Sequence, residues 1–265
     1  MNDFVTCTVE GINYVATSKD ITIMQDMYVS RVNYSAADMK MFHDLAKKYY
    51  NVDDSEGYFL DLGANIGTTG IYFCKKLAPN LKCLAFEPDA ENFKLLRINT
   101  ILNDMEDKST LVNCGLGDKM EEIPLYKNSA NPGANSIFQY MENMSSETIK
   151  IIPLDSYFAE NKIAAEEVKY IWIDTEGFEV QVLLGAKNLL IKNPVPVFME
   201  CNPKAWNISG KLEQMVELIK EAGYTHYIWI QEQMSSGEEN LHPIEKILTI
   251  PASIDQIGDI FLIRK

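Results

Sequence analysis

Four carboxylates fall where apolar, strand-like runs come to an end: Asp61 after Tyr58-Phe59-Leu60, Glu87 after Cys83-Leu84-Ala85-Phe86, Asp174 after Tyr170-Ile171-Trp172-Ile173, and Glu200 after Val195-Pro196-Val197-Phe198-Met199. In an open α/β sheet, ligands bind beyond the carboxyl ends of the strands, so these acids are expected to converge on one crevice. A crevice of that charge suits a cation. Clustered carboxylates also raise one another's pKa, which lets one of them work as a base near neutrality.

The first run leads into Asp61-Leu62-Gly63-Ala64-Asn65-Ile66-Gly67-Thr68-Thr69-Gly70, a glycine-bearing turn that opens a helix, and Glu87 follows about twenty residues on, where a ribose hydroxyl would be held. Asn65 stands where many nucleotide folds have another glycine, and asparagine tolerates the positive φ such a turn needs. Charge separates the two cofactors that use this geometry. A dinucleotide sets its pyrophosphate on the helix N-terminus, and a carboxylate at Asp61, about 4 Å from a phosphate, would cost on the order of 4 kcal/mol at an effective dielectric near 20. S-adenosylmethionine has no phosphate, and its sulfonium and ammonium are stabilised by a carboxylate, so the pocket's sign favours it over NAD.

Phe59 to Gly67, Phe86-Glu87-Pro88-Asp89, Asn99 and Asn103, and Ile173-Asp174-Thr175-Glu176-Gly177-Phe178-Glu179 with Leu183, Gly185 and Ala186 resemble the FkbM-type methyltransferase family over roughly residues 55 to 203. The resemblance implies a class I methyltransferase fold and O-methylation of a sugar or natural-product hydroxyl. Many members have a lysine just before the Ile-Asp pair, whereas this chain has Trp172, so no role of that lysine transfers. On this reading Gly63, Asn65 and Gly67 cradle the cofactor, Asp61 serves its methioninyl end, directly or through water, and Glu87 takes the ribose hydroxyls. Asp118, after Gly115-Leu116-Gly117, is a candidate for the adenine side, with a simple turn as the plainer explanation. Asp174 is expected to act as base or acceptor-orienting group, with Glu176 and Glu200 beside it. The plainer readings are a helix N-terminal acid for Glu176 and a partner of a backbone group or of Lys204 for Glu200. Three such acids could hold a divalent metal, but their spacing is not a recognisable cage, and no metal is expected. Trp206 either stacks on a sugar or anchors a loop from inside, and His226 reads as structural.

The elements that must position these residues alternate as strands and helices from Tyr58, which predicts a mostly parallel seven-stranded α/β sheet with helices on both faces. Residues 56–265 form the predicted methyltransferase domain, after an accessory segment, 1–55, of two short β runs and a helix near Ala36 to Tyr50 carrying Met39, Phe42, Leu45 and Ala46 on one stripe. The helix that begins at Asp89 is expected to present Leu95, Ile98 and Leu102 to the sheet, and the one after Asp174 to present Val180, Leu183, Leu184 and Ile191. Between Gly115 and Ile152 the alternation breaks: β-like pieces around 123–126 and 136–138 flank a run of turn formers, 128–135, readable as a lid or as an ordinary hairpin loop. The carboxyl end offers strands at 224–230 and 259–263 around a polar loop, 235–240.

The chain's 265 residues carry a formal charge of −14, from 38 acidic and 24 basic side chains, which argues against nucleic acid as substrate. Five cysteines without a Cys-x-x-Cys pair point to a reduced, cytoplasmic protein, and no apolar run is long enough for a membrane span. A small-molecule or glycan acceptor is expected. The rivals are a carboxylate or amine methyltransferase, an NAD-dependent oxidoreductase, and a non-catalytic binding module on the same fold.

Overall fold

The computed structural model describes residues 3–128, 131–139, 142, 144–250 and 257–264; Ser129 and Ala130 of the turn-rich run lie outside the described residues. Strands β1 (Phe4–Val9) and β2 (Ile12–Thr17) form a hairpin through Glu10 and Gly11, both at positive φ (51° and 76°), the pairing that a two-residue primed turn requires. A helix that had no counterpart in the sequence reading, Ile23–Ser30, leads to the expected helix Ala36–Tyr50. Its stripe of Met39, Phe42, Leu45 and Ala46 is buried, and the Phe42 ring lies between 5.5 and 6.0 Å from those of Phe73, Tyr170, Trp172, Phe198 and Phe261. The N-terminal segment thus lies on one face of the sheet and shares a single core with it.

The sheet strands follow in sequence as β3 (Tyr58–Leu62), β4 (Lys82–Phe86), β5 (Ser109–Val112), then β6 (Gly115–Leu116), β7 (Glu121–Tyr126) and β8 (Ser146–Ile152), and finally β9 (Val168–Ile173), β10 (Val197–Cys201), β11 (His226–Trp229), β12 (Leu241–Pro243) and β13 (Gly258–Ile263). The main sheet has the order β12-β11-β13-β10-β9-β3-β4-β5, with β5 to β10 parallel and β13 running against both its neighbours. This is the class I methyltransferase arrangement, with helices on both faces and one strand more than the predicted seven. The extra strand, β12, is a three-residue edge strand paired to β11, and the helix Ile230–Ser236 reaches into the start of the predicted polar loop. Successive residues alternate between two cores. Phe59, Tyr170, Trp172, Phe198 and Phe261 face the N-terminal helix; Leu60, Ile171, Ile173, Val197 and Leu262 face the other layer. Trp172 stacks on Phe198 with ring centroids 3.9 Å apart, so Trp172 is a core residue.

Winding reverses at β3. The chain moves outward through β4 and β5, then returns to the other side of β3 as β9 and β10. The carboxyl ends of β3 and β9 therefore frame the switch-point crevice.

Two predicted helix faces are corrected. On Ala90–Leu102 the buried residues are Asn92, Leu95, Leu96, Asn99 and Thr100, while Ile98 and Leu102 are exposed. The helix is turned because two asparagines one turn apart pair with the backbone of β2. Asn99 Oδ1 accepts from Val15 N (2.7 Å) and its amide donates to Val15 O (3.1 Å); Asn103 does the same for Asn13 (3.0 and 2.7 Å). Beyond Asp174, the single expected helix is two, Glu179–Gly185 and Lys187–Lys192, and the break turns Ile191 outward and Leu189 and Leu190 inward.

The irregular region also differs. The partner of β7 is β8, in the register Glu121↔Ile151, and Ser136 makes only an isolated bridge to Tyr126. With β6 beside β8 these form a small second sheet that turns Leu125, Ile149 and Ile151 toward the crevice.

Candidate functional site

The glycine turn is held by close approach. Gly63, Asn65 and Gly67 have φ of 98°, 49° and 90°. Gly63 N and Ala64 N donate to Phe86 O (3.0 and 2.9 Å), and Asp174 N donates to Leu62 O (2.9 Å), so the turn is pinned between β4 and β9. A Cβ at Gly63 would sit 1.8 Å from the Asp174 carbonyl oxygen, which leaves glycine as the residue that fits.

Glu87 closes the far side of this turn. Its Oε2 accepts from Asn65 N and its Oε1 from Asp89 N, each at 2.8 Å, and burial outweighs those bonds to raise its pKa to about 8. Asp61 lies beneath the turn rather than on the cavity wall. Its Oδ2 accepts from Gly70 N (2.9 Å), its Oδ1 is buried with no partner, and burial raises its pKa to about 7. An orphaned buried carboxylate oxygen is a costly feature, and it is often seen where a ligand supplies the missing donor.

Between these groups opens a crevice whose mouth faces solvent. Gly63, Asn65 and Glu87 form its polar side; Phe86, Leu116, Leu125, Ile149, Ile151 and Phe178 form an apolar wall, much of it from the second sheet. The turn-rich run contributes Pro132, Gly133 and Asn135 to the lining, tied down by Asn92 Nδ2 to Pro132 O (3.1 Å) and by Asn135 Nδ2 to Asp89 Oδ2 (2.8 Å). Lys127, which the sequence reading passed over, pairs with Asp89 and, at 2.7 Å, with Glu147, and so fastens the second sheet to the start of helix Ala90–Leu102.

At the other end stand Asp174, Glu176 and Glu200, each offering an oxygen within 4.8 Å of the others. Asp174 and Glu176 line the crevice; Glu200 lies behind them on β10, with one oxygen, Oε2, buried and unpartnered. Asp174 is open to the crevice yet surrounded by protein. Burial, then repulsion from Glu176, Asp259, Glu179 and Asp61, pushes it well above the usual carboxylate range. Burial, then Asp174 and its neighbours, does the same to Glu200, and burial with Glu179 raises Glu176 to about 7. Lys204 forms no ion pair with Glu200 among the described residues.

The turn carrying Glu176 is unusual, with Glu176 at φ 53° and Gly177 at φ 102°. Glu179 holds it there. Its Oε1 accepts from Thr175 N (3.1 Å), Thr175 Oγ1 (2.9 Å) and Gly177 N (3.0 Å), and its Oε2 accepts from Trp206 Nε1 (2.8 Å). Sequence reasoning quoted Glu179 within the motif but gave it no role. The only signal was an acid within the motif, five residues after Asp174. Trp206 is the inward anchor of the two readings, 1% exposed. Asp118 is not on the cavity lining: Gly117 N is drawn to Ile152 O, the chain turns away, and Asp118 pairs with Lys211. Gly67 also lies off the lining, at the helix start. His226 bonds Thr225 Oγ1 (2.9 Å) on an exposed surface.

Methyltransferase sdnD of Sordaria araneosa is 26% identical over 200 residues, covering 64% of this chain and 74% of that protein. Among solved structures, methyltransferase FkbM from Methylobacillus flagellatus is 14% identical with a TM-score of 0.49. It covers 93% of this chain, which spans only 55% of that protein's length. A SAM-dependent O-methyltransferase from Thermotoga maritima is 9% identical with a TM-score of 0.44, covering 98% of this chain and 77% of its own. The model of the methyltransferase FkbM domain matches residues 61–225, more than half of the chain. The chain belongs to the FkbM methyltransferase family.

Proposed function

We propose that the protein transfers a methyl group from S-adenosylmethionine to a hydroxyl of a carbohydrate or of a glycosylated or other natural-product metabolite. The observation that carries this reading is the pair of unlike ends of one crevice: a cleft with a polar side and an apolar wall at the glycine turn, and a carboxylate cluster at Asp174 across the switch point.

The residues fit the cofactor. Glu87 lines the cleft where ribose hydroxyls would be met, the bare Gly63 backbone admits close approach, and the apolar wall suits a base ring. The unpartnered Asp61 Oδ1, off the cavity wall, is matched by an ammonium only through a bridging water. When bound, S-adenosylmethionine supplies a methyl group on a cationic sulfur. The chain's own task is to hold the acceptor oxygen in line with that methyl and to remove its proton. Asp174, open to the crevice, is placed for both, and Glu176 and Glu200 keep its basicity high.

The same cluster weighs against the rival acceptors. A carboxylate acceptor would add one more charge to acids that already repel one another, and an amine beside the ionised member would be held protonated and non-nucleophilic. A neutral hydroxyl suffers neither penalty and needs the base that is present. Residues 56–265 would be the catalytic domain, with 1–55 completing its core. Five buried, unpaired cysteines fit a reducing, cytoplasmic setting, and no helix among the described residues is long and apolar enough to cross a membrane.

The test is incubation of metabolite extracts with the enzyme and isotopically labelled S-adenosylmethionine, read by mass spectrometry. A labelled O-methyl product is expected. Calorimetry showing no binding of S-adenosylmethionine or its demethylated product would refute the reading.

A further inference from the structure

The acid cluster has no internal counter-charge. Among the described residues no lysine, arginine or histidine forms an ion pair with Asp174, Glu176 or Glu200. The neighbouring acids cannot help. Both oxygens of Glu179 are taken up by Thr175, Gly177 and Trp206, and Asp259, the cross-strand partner of Glu200, accepts from Gln231 Nε2 at 2.6 Å. A separate observation points to a missing group: Glu200 Oε2 exposes essentially no surface and meets no donor. Buried carboxylate oxygens are otherwise nearly always satisfied.

The spacing suits one hard cation. Oxygens sharing a Mg²⁺, Mn²⁺ or Ca²⁺ ion at its usual bond lengths lie roughly 3 to 5 Å apart, and the three carboxylates each bring an oxygen within 4.8 Å of the others. The donor set is all oxygen, which favours these ions over zinc or copper. The supports are firm: Asp174 N is bonded to β3 at Leu62 O, Glu176 sits on the turn clamped by Glu179, and Glu200 lies within β10. Asp174 and Glu176 line the crevice, which leaves the opposite coordination positions facing the space where an acceptor would lie.

We infer that Asp174, Glu176 and Glu200 bind one divalent hard cation, and that its open positions receive acceptor oxygens, such as those of a vicinal diol. The second clause rests on the methyl-transfer reading, with Asp174 then a ligand and the cation, in place of a free base, lowering the pKa of the acceptor hydroxyl; the first does not. The expectation from sequence that no metal binds here came from the ligand spacing along the chain, which does not reveal that β9 and β10 are parallel neighbours.

The experiment is a titration of EDTA-stripped, dialysed full-length protein with MnCl₂, in which free Mn²⁺ is followed by its electron paramagnetic resonance signal. One Mn²⁺ per chain is expected, displaced by Mg²⁺ or Ca²⁺. Glu200→Gln and Asp174→Asn should each weaken binding at least tenfold. Thermal melts of the same samples check folding: Mn²⁺ should raise the melting temperature of the wild type and leave that of Glu200→Gln unmoved. No stoichiometric Mn²⁺ on folded wild type, or wild-type affinity in a folded Glu200→Gln, would overturn the site and leave a shared proton as the occupant. Calorimetry with S-adenosylmethionine on the same samples separates the two proposals. Mn²⁺ binding without cofactor binding would sink methyl transfer and leave the cation site standing, and cofactor binding without Mn²⁺ would do the reverse.

Discussion

Asp61→Asn should make the ligand-free protein more stable and a poorer binder of S-adenosylmethionine. Asp61 is 1% exposed, receives one hydrogen bond and has one oxygen with no partner. Its pKa rises from 3.8 to about 7 because burial disfavours the charge. The groups around it offer no relief: Glu87 and Asp174 are acids that feel its charge, and Cys83 is a buried thiol beside it. A carboxyl whose folded pKa is raised contributes stability that is fully present below its unfolded pKa, near 4, and is lost as pH rises through about 7. At 1.36 kcal/mol per unit, the ionised side chain then burdens the fold by about 4 kcal/mol at pH 8. Asparagine removes that term but leaves one amide atom unpaired, at about 1–3 kcal/mol, so the net gain at pH 8 should be about 1–3 kcal/mol. Urea unfolding of both proteins from pH 4.5 to 8.5 reads it directly. The variant should be the less stable at the acid end and the more stable above pH 7, while calorimetry finds its cofactor affinity reduced about tenfold, the 1.4 kcal/mol expected of one weakened charge interaction. A stability difference independent of pH, or a variant less stable at pH 8, would refute the argument that Asp61 is buried as an anion for its ligand's sake.

Above pH 8, where Glu87 is ionised, Glu87→Gln should weaken S-adenosylmethionine binding by about 1.5–3 kcal/mol, the worth of hydrogen bonds to a charged group, as measured by calorimetry. Asp174→Asn should lower turnover about 10²- to 10⁴-fold with little change in cofactor affinity, and near-full turnover would favour an acceptor that needs no base. Glu179→Gln keeps the side-chain shape but replaces an oxygen that accepts from Thr175, Gly177 or Trp206 with a donor, so a loss of about 1–3 kcal/mol is expected. At this chain length that is several degrees in a thermal melt.

How much of this was legible beforehand follows the range of each interaction. The strand-end acids, the turn at Gly63 and Gly67 and the alternating strand patterns are local features, and they were readable because side-chain period and backbone φ are properties of a few consecutive residues. The pairing of β7 with β8 was not, although Ile149 and Ile151 alternate with Thr148 and Lys150, because nothing local says which of two β-like pieces a strand will choose. The face of helix Ala90–Leu102 was misjudged for a related reason. Leu95, Ile98 and Leu102 keep helical spacing, but two asparagines committed to β2, more than eighty residues away, set the rotation.

Sequence alone determined that carboxylates would end the central strands and that a glycine turn would open beside them, since both are written in adjacent residues. Only the tertiary structure decided which of those carboxylates meet. Asp174, Glu176 and Glu200 share one space because β9 and β10 lie side by side, whereas Asp61 is drawn under its own turn and Asp118 is turned away to Lys211. The physical reason is that a carboxylate's pKa and its capacity to bind depend on charges and donors within a few ångströms, and those neighbours are assembled by the order of strands in the sheet rather than by their order in the chain.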